Sequence, residues 1–252
     1  MSWRRYEPVD SGGLPSSREN YASCREHMRE IREQFEAEER SGCMRKATKA
    51  ELESECGRQV CVAALGALEK GDNIFRVIHD ATHGVKVNPR IIQRDQIRLP
   101  GVRELRKVMH LTSLQGGSRF GLSGDVQKAH RIPRTKRECQ GLQVCQLGPD
   151  EFWINEVGTF GVGSAAYWWS RLAALASRGV LYLMGTNWFW QLLFADDFAW
   201  VVWGEHMLHD LVLAIVCLEA WGFPFCLEAV QGRPGGGMGQ LLVRPRKLGG
   251  GP

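Results

Sequence analysis

The zinc-binding cysteine motifs of zinc-finger proteins are missing from this 252-residue chain. Its eight cysteines contain no C-x-x-C pair, and no histidine follows any of them at zinc-finger spacing. A secretory signal is also missing, so we expect free thiols in a reducing intracellular compartment, either the cytoplasm or the nucleus. These absences argue against a structural zinc domain and against a secreted disulfide scaffold.

The chain also has little that could cross a membrane. Residues 179–195 carry no charge over 17 positions, which is short for a membrane-spanning helix. They include Gly185-Thr186-Asn187, a turn signal, and lead directly into two aspartates. We interpret this stretch as two strands and expect no membrane partner.

Positive charge is concentrated in one part of the chain. Residues 76–138 contain 14 Lys/Arg and five Asp/Glu, although the net charge of the whole chain is only +4. Such a basic block predicts a surface for phosphate backbones. A merely solvated loop region is the alternative.

The most informative segment is FWQLLFADDFAWVVW, residues 189–203. Its two aromatic and aliphatic runs predict a β-hairpin that holds Asp196 and Asp197 at its tip. Unpaired like charges are costly to bury, so these acids must reach water, a metal or a cationic partner. The alternative is a solvated Asp-Asp turn.

Four further segments accompany the hairpin in a fixed order. They are FRVIHDATHGVKVN (75–88), LSGDVQKAHRIP (122–133, with Asp125), GTFGVGSAAYWWSRL (158–172), and an amphipathic helix over residues 205–221 that ends in Gly222-Phe223-Pro224. Within them, FGVGSAAY is similar to the F-G-L-S-S-A-P-Y segment of reverse transcriptases, and FADD is similar to their Tyr/Phe-x-Asp-Asp box. Residues 72–230 therefore resemble the finger and palm motifs of a retroelement reverse transcriptase.

This resemblance implies an α+β fold, with fingers and a palm whose antiparallel, ferredoxin-like sheet is backed by helices. It divides the chain into a disordered start (1–17), an N-terminal helical region (18–71), a fingers-like segment (72–118), a palm-like catalytic segment (119–231) and a disordered Gly/Pro/Arg tail (232–252). The helical region should hold a charge-rich helix over residues 18–40 and a second helix from a capping box at Thr48 to about Glu69.

The resemblance also implies the site and its ligands. RNA or DNA template-primer and deoxynucleoside triphosphates would be the partners, with two Mg²⁺ or Mn²⁺ ions as cofactors. Asp125, Asp196 and Asp197 would be catalytic and would bind metal together with the Val126 carbonyl. The incoming nucleotide would contact Arg76, His130, Gly161 and Ser164, and the nucleic acid would contact Lys86, Arg90, Arg94, Lys128 and Arg131.

Several departures from the family pattern keep other functions open. Phe225-Cys226-Leu227-Glu228 replaces the lysine that usually follows Gly-Phe-Pro, His130 replaces the sugar-discriminating aromatic residue, and little sequence remains for a thumb. Asp125, Arg76 and His130 could instead be a strand-end acid, a surface charge and a packed histidine. A non-catalytic nucleic-acid-binding remnant is therefore the alternative to an enzyme, and an unrelated two-metal phosphotransferase or nuclease is a third hypothesis.

Overall fold

The computed structural model describes residues 17–56, 60–71, 75–114, 119–185 and 189–230, without the side chains of Arg119 and residues 227–230. The segments expected to be disordered, 1–17 and 232–252, lie outside these ranges except for residue 17. Two compact units are present, Met1–Arg94 with Pro133–Tyr167 and Asp95–Ile132 with Trp168–Pro252. Both units are discontinuous in sequence.

The first unit contains a five-stranded mixed sheet and short helices. Its helices are α1 (Ala22–Glu26), α2 (Met28–Arg40), α3 (Lys49–Cys56) and α5 (Arg137–Gln140), and its strands are β1 (Met44–Ala47), β2 (Val62–Glu69), β3 (Phe75–Asp80), β5 (Val144–Gly148) and β6 (Glu151–Asn155). The strand order is β1-β6-β5-β2-β3. Only the β2–β5 pair is parallel among these neighbours.

The N-terminal helices follow their sequence signals in part. The charge-rich segment breaks at His27 into α1 and α2, and α2 buries a narrow stripe with Ile31 and Phe35. Phe35 packs edge-on against Trp153 of β6 at 5.5 Å between ring centroids. The capping box before α3 is confirmed, since the Thr48 N–H donates to Glu51 at 2.7 Å and the Glu51 N–H donates to Thr48 Oγ1 at 3.3 Å.

The second predicted helix is wrong beyond Cys56. Residues Val62–Glu69 form β2 instead, paired with β3 on one side and with β5 on the other. The sequence VAALGALE is rich in Ala and Leu, which favour helices locally. Burial between two neighbouring strands outweighs that weak local preference.

The second unit contains a four-stranded antiparallel sheet and helices, of which α6 and α7 pack against the sheet on one face. Its helices are α4 (Val102–Ser113), α6 (Gly163–Met184, which begins in the first unit) and α7 (Met207–Ala220). Its strands are β4 (Arg119–Val126), β7 (Phe189–Phe194), β8 (Asp197–Trp203) and β9 (Phe225–Val230), in the order β7-β8-β4-β9. The predicted hairpin at residues 189–203 and the predicted helix near residues 205–221 are confirmed.

Alternating side chains of this sheet form its core. Phe198, Trp200 and Val202 of β8 are buried with α6 and α7 residues that recur at helical spacing: Trp169, Ala173, Ala176, Val180, Leu211, Ala214 and Leu218. Gly179 permits close packing, because a Cβ there would lie 2.9 Å from the Trp221 ring. Successive strand residues point to opposite faces, so the alternate residues lie on the face away from the helices.

One strand expected in this region is instead a helix. Residues 179–184 continue α6 up to Met184, whereas the sequence analysis placed a strand there. The period-3.6 burial of Trp169, Ala173, Ala176 and Val180 explains the difference, since it extends past Gly179. The fold is α+β, with one mixed and one antiparallel sheet plus helices. No helix in the described ranges combines the length and apolarity needed to cross a membrane.

Candidate active site

A row of four residues crosses the sheet of the second unit on the face away from the helices. Phe194 of β7 pairs with Asp197 of β8, Asp197 pairs with Asp125 of β4, and Asp125 pairs with Cys226 of β9. Two carboxylates that are 72 positions apart in sequence are therefore direct neighbours on adjacent strands. Asp197 is exposed and Asp125 is partly buried.

The backbone hydrogen bonds define how close these two aspartates come. The Val126 N–H donates to the Asp196 carbonyl oxygen at 3.0 Å, which makes residues 126 and 196 a hydrogen-bonded pair. The next pair, Asp125 and Asp197, is therefore of the non-hydrogen-bonded kind, in which Cα atoms are about 4.5 Å apart and side chains approach most closely. Like charges at such positions destabilise strand pairing, a cost that a bound cation removes.

The tip of the hairpin is held in a costly backbone conformation. Ala195 and Asp196 form the turn, and Ala195 has φ +56°, in the left-handed region that favours glycine. The indole N–H of the buried Trp169 donates to the Ala195 carbonyl oxygen at 2.9 Å. A strained non-glycine turn persists only where its surroundings hold it, and Trp169 of α6 is one such contact.

A second set of hydrogen bonds ties the same hairpin to α6. Trp200 Nε1–H donates to Gln191 Oε1 at 2.6 Å, and Gln191 Nε2–H donates to Ser177 Oγ at 2.5 Å. The chain thus satisfies the polar atoms of a buried tryptophan and a glutamine inside an apolar core. Both strands of the hairpin are fixed to one helix, which is the support that a metal-binding carboxylate pair needs.

The segment after Asp125 leaves the sheet at once. The Gln127 N–H donates to the Pro224 carbonyl oxygen at 2.9 Å, and Lys128 turns the chain with φ +50°. A 3₁₀ turn, Ala129–Arg131, then carries His130. His130 therefore lies on a turn that follows the strand of Asp125.

The first unit holds three of the predicted nucleotide-contacting residues, Arg76, Gly161 and Ser164, whereas His130 belongs to the second unit. Arg76 of β3 is exposed, and its guanidinium lies 4.9 Å from the centre of the Phe160 ring. That cation–π contact orients a planar group that can also contact phosphate oxygens. Phe160 belongs to the Gly-rich segment, so Arg76 and this segment are in contact.

The Gly-rich turn is fixed by backbone contacts. Gly161 has φ +100°, and a Cβ there would lie 1.9 Å from the His79 carbonyl oxygen, so only glycine fits. Asn88 closes the turn from the other side: its Nδ2–H donates to the Gly161 carbonyl at 2.7 Å, and its Oδ1 accepts from the Gly163 N–H at 2.8 Å. Ser164 lies in the first turn of α6.

The predicted nucleic-acid-contacting residues lie on loops and turns of both units. Lys86 (φ +50°), Arg90 and Arg94 are in the first unit, whereas Lys128 and Arg131 are in the second. Lys86, Arg94 and Lys128 are exposed, and the other two are partly buried. The exposed positions among them suit contacts with phosphate groups.

Sequence reasoning missed three residues of these arrangements. Trp169 and Asn88 act through hydrogen bonds to backbone atoms 26 and 73 positions away, and Cys226 faces Asp125 only because β9 pairs with β4. No local sequence signal marks any of them. The strand order was the missing information, since the alternation within each strand is readable from the sequence.

The donor atoms of the second unit suit a hard divalent cation. Asp125 and Asp197 supply carboxylate oxygens, and Asp196 and the Val126 carbonyl lie in the adjacent pair, as Mg²⁺ and Mn²⁺ prefer. Within the described ranges, no three or more His, Cys, Asp and Glu side chains gather into a metal-binding group. The carboxylates in direct register are therefore a pair, and substrate phosphates would have to complete the coordination.

Comparison with known proteins adds no assignment. No protein-family model and no curated protein sequence matches this chain.

Proposed function

We propose that this chain is a reverse-transcriptase-like nucleotidyl transferase, which extends a primer on an RNA or DNA template by two-metal catalysis. In this proposal the second unit is the palm and the first unit carries the nucleotide-binding part of the fingers. A retroelement is its proposed origin. Deoxynucleoside triphosphates, template-primer and Mg²⁺ or Mn²⁺ are its proposed ligands.

The direct pairing of Asp125 with Asp197 carries the proposal. Two carboxylates from segments distant in sequence oppose each other at the closest cross-strand position, on the open face of an antiparallel sheet. Two carboxylates in this register supply the hard oxygen ligands from which Mg²⁺ or Mn²⁺ is bound. The left-handed conformation of Ala195 beside this pair costs free energy, and such backbone strain is found mainly at functional sites.

Each residue then has a chemical role. Bound divalent cations would stabilise charge on the attacking 3′-oxygen and on the leaving pyrophosphate. Asp125, Asp197 and Asp196 would hold those cations, with the Val126 carbonyl as a neutral ligand. Trp169 would keep the hairpin tip in position. In the reaction the 3′-oxygen bonds to the α-phosphorus, the bond to the β-phosphate oxygen breaks, and the 3′-hydroxyl proton passes to solvent.

The first unit would bind the triphosphate. Arg76 presents a guanidinium that is stacked on Phe160, so its donors are oriented before phosphate arrives. Gly161 lets the turn lie against the His79 carbonyl oxygen, which fixes the segment that carries Phe160. Because His130 replaces the sugar-discriminating aromatic residue, the proposal makes no claim that ribonucleotides are excluded.

A second candidate function is a non-catalytic nucleic-acid-binding remnant. It is favoured by Cys226, which stands opposite Asp125 in the segment where the resemblance calls for a lysine. Without that lysine, protonation of the leaving pyrophosphate would depend on water. Such a remnant would keep its affinity for RNA when its aspartates are neutralised.

The test is primer extension on an RNA template with Mg²⁺ or Mn²⁺, combined with Mn²⁺ binding measured by electron paramagnetic resonance. Asp196→Asn/Asp197→Asn and Asp125→Asn should each abolish extension and weaken Mn²⁺ binding. Asp210→Asn is the matched control, because it removes a carboxylate from α7 of the same unit outside the row. Control activity should equal that of the parent.

The outcomes separate the two functions. Extension by the parent and the control, with none by the row variants, supports the enzyme. Absence of extension in all proteins, with RNA binding intact and circular dichroism unchanged, overturns the enzyme and leaves the remnant. Equal activity in parent and row variants would also overturn the proposal, since the carboxylates would then be dispensable.

A further inference from the structure

Helix α4 of the second unit carries a basic face that none of the proposed roles uses. Arg103, Arg106 and Lys107 lie at positions i, i+3 and i+4, so they share one side of the helix, and all three are exposed. The opposite side is packed into the unit through the buried Val108 and Thr112. We call Arg103, Arg106 and Lys107 the α4 basic face.

The charges of the α4 basic face repel one another. Like charges three and four positions apart weaken a helix, so this arrangement does not serve helix stability. Within the described part of the chain, none of the three side chains forms an ion pair. A ligand with repeated negative charge would remove the repulsion.

Glu104, the acid of α4 nearest to these cations, contacts other residues. Glu104 accepts a hydrogen bond from the Gly101 N–H at 2.8 Å and pairs with Arg98 at 3.4 Å. The Gly101 hydrogen bond is the first cause of the lowered pKa of Glu104, and nearby arginines lower it further. Glu104 thus caps the first turn of α4 and leaves the α4 basic face positive.

A groove at the start of α4 extends the positive surface. It has a volume of about 230 Å³ and includes Arg98 and Arg178 with the apolar Leu99 and Leu193. Because Arg98 also pairs with Glu104, this groove adjoins the first turn of α4. Apolar surface between guanidinium groups suits the sugars and bases of a strand whose phosphates contact the arginines.

We propose that the α4 basic face, with the adjoining groove, binds the phosphate backbone of a nucleic-acid strand beside the reaction centre, since the groove also includes Ala195 of the hairpin tip. Naming that strand as template or primer rests on the proposed polymerase function. The helix rises about 1.5 Å per residue, so a face that spans residues 103–107 matches two to three phosphates of one strand. A membrane surface fits less well, since a membrane-bound helix exposes its apolar side and α4 buries it.

The experiment measures affinity for a fluorescent single-stranded RNA in EDTA at several salt concentrations. Arg103→Gln/Arg106→Gln/Lys107→Gln is compared with the parent. Glutamine keeps the helix propensity and removes the charge. The matched control, Arg29→Gln/Lys49→Gln/Lys136→Gln, removes the same charge from exposed side chains of the first unit that already pair with acids.

We expect the α4 variant to lower the slope of log affinity against log salt by about 2, since each single-strand phosphate contact contributes about 0.7. Its affinity at about 0.1 M salt should fall on the order of 10-fold or more, and the control should stay within about 3-fold of the parent. Equal slopes in parent and α4 variant would overturn the proposal. An equal loss in the control would also overturn it, because net charge would then explain binding.

Two further measurements identify the ligand and separate this inference from the polymerase function. Equal binding of poly-glutamate or anionic vesicles through the same three residues would overturn the nucleic-acid assignment. RNA binding that depends on the α4 basic face, in a parent that extends no primer, would support this inference and refute the enzyme. Primer extension with unchanged salt slopes in the α4 variant would refute this inference alone.

Discussion

The two units treat their strand-end carboxylates in opposite ways. In the first unit, Asp80 accepts hydrogen bonds from the Tyr21 hydroxyl at 2.5 Å, the Thr82 N–H at 3.1 Å and the His83 N–H at 3.0 Å. Burial raises the pKa of Asp80, but the His83, Tyr21 and Thr82 hydrogen bonds outweigh it and hold the pKa at about 2. In the second unit, Asp125 faces another carboxylate across the sheet. The first arrangement stabilises its fold, and the second one suits a divalent cation.

The turns of the two units show the same contrast. Gly161 occupies a left-handed position where contact with the His79 backbone allows no side chain, so sequence and conformation agree. Ala195 occupies a left-handed position with a side chain, and a tryptophan hydrogen bond helps to hold it. A left-handed backbone conformation at a residue other than glycine, beside paired carboxylates, is the pattern expected of a functional site.

The largest expected loss of stability comes from a substitution at Gly161, where the turn requires glycine. Gly161→Ala should lower the free energy of unfolding by more than about 3 kcal/mol, because its Cβ would overlap the His79 carbonyl oxygen. Gly71→Ala is the matched control, with φ +117° and no atom within 4 Å of the added Cβ. Urea unfolding of both variants separates the overlap from the backbone strain. Similar losses in the two would contradict the steric explanation.

Neutralising the satisfied carboxylate should have the next largest effect. Asp80→Asn should cost about 2 kcal/mol at pH 7, since a pKa of about 2 in the folded state lies below the usual value of 3.8. A lowered pKa contributes stability above the unfolded value, so the difference from the parent should shrink as pH falls from about 4 towards 2. Urea titrations across this range measure it. Glu19→Gln, on an exposed ion pair, should change little.

Removing the hydrogen bond that holds the hairpin tip should lower the free energy of unfolding by a smaller amount. Trp169→Phe keeps an aromatic ring beside Phe223 but loses the hydrogen bond to Ala195, which should cost about 1 kcal/mol in urea unfolding. If Trp169 positions the carboxylates, affinity for Mn²⁺ should also fall on the order of 10-fold. Trp168→Phe, on the exposed side of α6, is the control. Unchanged Mn²⁺ affinity would limit Trp169 to a structural role.

The smallest expected effect is on stability in the presence of metal. Mn²⁺ should raise the melting temperature of the parent and not that of Asp197→Asn, because the variant lacks one of the two paired carboxylates. Asp210→Asn should respond to Mn²⁺ as the parent does. An equal rise in the parent and in Asp197→Asn would show that this carboxylate does not bind the metal.

The hairpin was predictable because its signals are local. Alternating apolar residues on either side of two acids predict two paired strands and an exposed tip, and the structure has both. The capping box at Thr48 and the amphipathic helix before Gly222 are predictable for the same reason. Each depends on contacts within a few positions along the chain.

The secondary-structure predictions that are wrong lie where residues distant in sequence decide the conformation. Val62–Glu69 has the composition of a helix, but two flanking strands make it a strand. Residues 179–184 look like the start of a strand, but packing continues α6 through them. Propensities of a few tenths of a kcal/mol per residue cannot outweigh the burial of a whole segment.

The sequence by itself determined the hairpin, the acids at its tip and the concentration of positive charge, because pattern and composition act locally. Tertiary structure alone decided that Asp125 faces Asp197 and Cys226, that Trp169 holds Ala195, and that Asn88 and His79 enclose Gly161. Strand order and register set these contacts, and both arise from packing between segments far apart in the chain.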